Sequence, residues 1–146
     1  MIDKQLVEES LPGIRYVWLR RRDLVATTVS TFIARKTRTY FAKSDDDVRE
    51  HAAKVVWQED LLDLYRVICG RDQFWSRYLS DKDEYITTFY EDMASDPKEM
   101  LRIFDFLDIN HPVPESCYKK LDHPITEKLY HDLLEEIGSL QSVRLL

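Results

Sequence analysis

The sequence predicts an α/β protein, mainly helical, in which a small parallel sheet of about two strands is packed by helices. Two short runs, Tyr16 to Leu19 and Tyr85 to Tyr90, are rich in aromatic and β-branched residues and bounded by turn signals, so both read as strands. The long stretch between them has helical periodicity. A helical crossover makes the two strands parallel neighbours, with the right-handed connection that such units adopt.

Taken in order, residues 3 to 10 fit a short amphipathic helix with Leu6 and Val7 on its apolar side, and Pro12-Gly13 is a turn. The first strand is apolar on both faces (Tyr16, Val17, Trp18, Leu19), which suits a strand covered by helices. A helix is expected from Asp23 to about Phe41. Its intrinsic propensity is poor, because Val25, Thr27, Thr28, Val29, Thr31 and Ile33 are β-branched, yet Val25, Val29, Phe32 and Ile33 keep the 3.6 period. The basic stretch Arg35 to Arg38 either bends toward a ligand or faces solvent.

Ser44 followed by Asp45, Asp46 and Asp47 marks a helix start. The helical region then runs to about Leu79, as one helix between neighbours or as two divided near Gly70. Val48, Ala52, Val55, Leu62 and Cys69 make one stripe; Trp57, Leu61, Leu64, Tyr65, Ile68 and Trp75 make another, all read as core. After the second strand, Asp96 caps a helix with Pro97 at its first position and Glu99 reaching back as in a capping box. Met100, Ile103, Phe104 and Leu107 form its buried stripe, and the run from His111 to Pro114 ends it. A short helix at 115–121, a break at His123-Pro124, and a last helix from Thr126 to Ile137 stopped by Gly138 complete the chain. The apolar tail (Leu140, Val143, Leu145, Leu146) either packs or mediates association.

At 146 residues the length is that of one domain, 1–146, with enough chain for a core. There are 21 basic and 27 acidic residues, a net charge of −6, which argues against a nucleic-acid partner. No apolar run is long enough for a transmembrane segment, and the N-terminal ten residues lack the pattern of a signal peptide. Two cysteines, Cys69 and Cys117, in such a chain read as free thiols in the cytoplasm. The four histidines form no close pair with each other or with a cysteine, so no metal is expected.

The stretch from Arg15 to Ser30 carries the functional signal. Its strand delivers Arg20, Arg21 and Arg22 at a carboxyl end, the edge of an open α/β sheet where ligands bind. The helix that follows adds a partial positive charge and free N–H groups, which suits a phosphate. At ~100° per residue Ser30 returns nearly to the face of Asp23, roughly 10 Å further along. Arg22 laid along that face can share a phosphate with the Ser30 hydroxyl through a bidentate, charge-assisted contact and a short donor.

Arg-x7-Ser after a strand resembles the 3′-phosphate-binding motif of sulfotransferases that use PAPS, 3′-phosphoadenosine 5′-phosphosulfate. The string LRRRDLVATTVS looks most like the bacterial carbohydrate and lipid sulfotransferases related to trehalose 2-sulfotransferase. Tyr90-Glu91-Asp92 with Asp96-Pro97 and the following helix to Leu107 matches a second family segment, in the right order. The resemblance implies a P-loop-like sulfotransferase fold, Arg22 and Ser30 on the 3′-phosphate, Tyr90 against the nucleotide base, and PAPS or its product PAP as cofactor. For Tyr90 a buried tyrosine at a strand end is the competing reading.

The resemblance runs from about Arg15 to Leu107 and covers the C-terminal part of such an enzyme only. The family's glycine- and serine-rich loop for the 5′-phosphosulfate has no counterpart among Gly13, Gly70 and Gly138, and no residue takes the role of catalytic base. The expectation is a truncated fold that retains the 3′-phosphate motif, binds PAP weakly and is inactive alone. Three origins stay open: a fragment or mis-started reading frame, a natural remnant, or a chain completed by another polypeptide. The alternative function is a non-catalytic helical module for interaction or homo-oligomerisation.

Overall fold

The computed structural model describes residue 10 and residues 13–41, 44–52, 61–113 and 123–143. In chain order the elements are β1 (Tyr16–Arg20), α1 (Leu24–Thr37), α2 (Asp45–Ala52), α3 (Leu61–Leu79), β2 (Tyr85–Phe89), α4 (Tyr90–Ser95), α5 (Pro97–Phe106) and α6 (Thr126–Val143). The chain is thus mainly helical with one two-stranded parallel sheet. It divides into two compact units, Met1–Arg22 with Phe74–Pro114, and Asp23–Gln73 with Glu115–Leu146.

The first unit is built on the sheet. Tyr16 pairs with Tyr85 and Arg20 with Phe89, so both strands end at one edge. Arg15 fastens the opposite end. It donates to Glu84 at 3.0 Å, to the Phe106 carbonyl at 2.8 Å and to Asp108. Tyr16 meets Tyr78 of α3, hydroxyl to hydroxyl at 3.1 Å with the rings edge to face. Leu79, Thr88 and Ile103 are buried.

β1 is less covered than its composition predicts. Tyr16, Val17 and Trp18 are half-buried and Leu19 is 53% exposed. Trp18 is capped by the guanidinium of Arg20, its neighbour two residues on along the same face, at 4.3 Å. A basic side chain here does the covering expected of a helix.

α5 begins as expected, with Asp96 accepting from the Lys98 amide at 2.9 Å and Pro97 in the first turn. Glu99 does not close a capping box. Its carboxylate takes the Thr88 hydroxyl at 2.8 Å and the Arg102 guanidinium at 2.6 Å, and Arg102 also donates to the Thr87 carbonyl at 2.8 Å. A buried hydroxyl on β2 and a charged donor outcompete an exposed amide. The helix closes on Asp108, at φ 56°, with Ile109 N–H to the Phe104 carbonyl and Asp108 N–H to the Asp105 carbonyl, a Schellman end.

The second unit is helical. Val25, Val29, Phe32 and Ile33 of α1 meet Leu61 and Leu64 of α3 and Leu129 and Leu133 of α6. Asp23 caps α1, accepting from the Ala26 amide at 2.8 Å and from the Tyr130 hydroxyl at 2.9 Å. The threonines that lower its propensity are made tolerable by back-bonding. Thr27, Thr28 and Thr37 each donate to a carbonyl four residues earlier at 2.7–2.8 Å. α1 ends at Thr37, short of Phe41, because Arg38 turns left-handed at φ 56°. Arg35, Lys36 and Arg38 are exposed, in keeping with the solvent-facing reading.

Ser44 and Asp47 bond reciprocally at 3.0 and 3.1 Å to start α2. The expected stop at Gly138 is absent, and of the two readings near Gly70 the division there does not occur. Gly70 lies inside α3 and Gly138 inside α6. An interior glycine costs a helix about 1 kcal/mol, less than the packing of neighbours such as Leu64 and Leu133 returns. Trp75, read as core, is 40% exposed, stacked edge to face on Phe74 and Tyr78. The expected helix at 3–10 apart from its last residue, the expected helix at 115–121, Val55, Trp57, Cys117 and the end of the tail lie outside the described residues.

Candidate functional site

The parallel register determines the site. Strands that run the same way and end together bring the residues after each carboxyl end to one rim. After β1 come Arg21 and Arg22; after β2 come Tyr90, Glu91 and Asp92, the first turn of α4. A run of cations therefore faces an aromatic ring and two carboxylates within the first unit.

Each arginine lies over an aromatic ring. Arg20 is 4.3 Å from the Trp18 centroid and 5.6 Å from that of Phe89. Arg21 is 3.8 Å from Tyr90, and Arg22 is 4.3 Å from Phe89. Such stacking holds the planar guanidinium in place and leaves its in-plane donors available to oxyanions.

Those donors meet the chain's own carboxylates. Arg22 grips Asp92 with two parallel bonds, Nη1 to Oδ1 and Nη2 to Oδ2, both 2.7 Å. The Arg22 backbone N–H donates to Glu91 at 3.3 Å, and Arg21 stands 3.8 Å from the same carboxylate. The Arg22 hydrogen bonds hold the Asp92 carboxyl below the usual carboxylate range, and Asp92 in turn raises the Arg22 pKa. The pair is open to water, with the Arg22 side chain 51% and the Asp92 side chain 42% exposed.

Tyr90 is 45% exposed and opens α4, which removes the reading of a buried strand-end tyrosine. One ring face is occupied by Arg21. Ser30 is exposed on α1. Arg22 closes the first unit and Ser30 belongs to the second. The α1 N-terminus is capped by Asp23. Gly13 precedes β1 in a turn at φ 76°, and the other two glycines are helical, so none forms a strand–loop–helix phosphate cradle.

Sequence reasoning missed Asp92 as the partner of Arg22, and Arg21 as the partner of Tyr90. The signal was present: two triplets of opposite character, Arg20-Arg21-Arg22 and Tyr90-Glu91-Asp92, each ending a strand of a parallel pair. No group of three or more His, Cys, Asp or Glu side chains among the described residues can hold a metal ion. Likewise, no helix among them is long and apolar enough to cross a membrane. Comparison with family models, with curated proteins and with solved structures finds no match.

Proposed function

We propose that this chain is sulfotransferase-like and that the rim formed by Arg20 to Arg22 and Tyr90 to Asp92 is a phosphate-binding edge for an adenosine nucleotide of the PAPS and PAP type. The observation that carries the reading is the placement of an aromatic-backed arginine fork at the carboxyl end of a parallel pair. Arg22 takes the 3′-phosphate, and the ring of Tyr90 serves the base. The reading assigns binding and no catalysis. Sulfuryl transfer to a carbohydrate or lipid hydroxyl needs a 5′-phosphosulfate cradle and a base for the acceptor, and neither role is assigned to any residue of this sequence.

Isothermal calorimetry with adenosine 3′,5′-bisphosphate tests it, comparing wild type with Arg22→Ala. Saturable heat in the wild type that Arg22→Ala abolishes supports the reading. Absence of heat from both proteins refutes it.

A second reading, self-association, is favoured by the exposed apolar side chains of the first unit, Leu19, Phe74 and Trp75, and by a sheet of only two strands. Sedimentation at micromolar concentration tests it. A dimer supports association, and a monodisperse monomer contradicts it.

A further inference from the structure

We propose that Asp92 is a built-in competitor at this rim: its carboxylate occupies the Arg22 fork, and a phosphate monoester binds by displacing it. The inference rests on the reading of the rim as a phosphate site and adds how that site is regulated.

The two ligands ask the same thing of Arg22. A carboxylate and a phosphate each offer two oxygens to the parallel N–H donors of a guanidinium. Asp92 uses the end-on pair of donors, Nη1 and Nη2, both at 2.7 Å, so it and a phosphate gripped end-on by the same pair are mutually exclusive. The fork does not depend on Asp92 for its position, because Phe89 supports the guanidinium at 4.3 Å. Asp92 does not need the fork to stay folded either. Its backbone carbonyl is anchored by the Asp96 amide at 2.8 Å, so release requires only a side-chain rotation.

The strength of the pair suits exchange. Both partners are about half exposed. An exposed ion pair is worth about two- to fivefold in an equilibrium constant, enough to weaken phosphate binding without preventing it. Glu91 differs in kind. It contributes negative charge to the same rim, but it accepts from the Arg22 backbone and approaches Arg21 at 3.8 Å, leaving the Arg22 fork alone.

That contrast supplies the control. Adenosine 3′,5′-bisphosphate is titrated into wild type, Asp92→Asn, Glu91→Gln, Arg22→Ala and the Arg22→Ala/Asp92→Asn double variant, at one ionic strength. The expected result is a two- to fivefold lower Kd for Asp92→Asn, a smaller gain for Glu91→Gln, and no gain from Asp92→Asn once Arg22 is gone. In the wild type, the carbon-13 resonance of the Asp92 carboxyl moves toward its unpaired position as the nucleotide saturates. This second readout needs no variant to fold. Arg22-dependent binding in wild type that Asp92→Asn leaves unchanged or weakens overturns the competitor and leaves the phosphate reading standing. So does an Asp92 resonance unmoved at saturation. No binding in wild type or Asp92→Asn, or binding indifferent to Arg22→Ala, overturns both.

Discussion

Thr88, 1% exposed near the end of β2, donates its hydroxyl to Glu99 of α5 at 2.8 Å. This bond, with the Arg102 contact to the Thr87 carbonyl, ties the helix after the rim to the strand that ends at it. Thr88→Val keeps the shape and removes the donor. It is expected to lower the thermal midpoint by several degrees, as loss of a buried hydrogen bond does in a small domain. An unchanged midpoint shows that the bond contributes nothing.

The same carboxylate sets an acid limb. Arg102 first, and then Thr88, hold the Glu99 carboxyl below its ordinary pKa, and Arg22 does so for Asp92. A carboxyl depressed in the folded state adds stability that is present above its unfolded pKa, about 4, and lost as pH falls through the folded value. Melting midpoints should therefore be flat above about pH 5 and fall below it, and Glu99→Gln should flatten that fall. An identical acid profile in Glu99→Gln contradicts the assignment.

Gly70 and Gly138 sit inside helices, and a Cβ added at either meets nothing within 4 Å. Gly70→Ala and Gly138→Ala should each stabilise the protein by about 0.5–1 kcal/mol in chemical denaturation. Destabilisation by either contradicts the helical placement.

These glycines also show what the sequence could and could not convey. Strand positions, their parallel relation, the caps at Ser44 and Asp96, and the α1 stripe were legible, because each follows from local chemistry or from period. The stop at Gly138 failed because a single weak residue is overruled by packing on either side. Glu99 and Trp75 were misread as well. Thr88, the partner of Glu99, lies on another element, which a periodic pattern does not state, whereas Trp75 meets only Phe74 and Tyr78 of its own helix among the ring contacts described and stays 40% exposed. At the rim the cations were evident and their counter-ions were not, since Arg22 and Asp92 are seventy residues apart in sequence.

Ser30 is exposed on α1 and outside the packed core. Ser30→Ala should therefore leave the melting midpoint within about a degree. A drop of several degrees contradicts its exposed placement.

The most direct measurement compares two nucleotides that differ by the 3′-phosphate alone. Calorimetric affinities of adenosine 3′,5′-bisphosphate and adenosine 5′-phosphate are determined for wild type and Arg22→Ala. A preference for the bisphosphate in the wild type that vanishes in Arg22→Ala is the predicted result. The same ratio of affinities in both proteins, or no binding of either nucleotide by the wild type, contradicts the account.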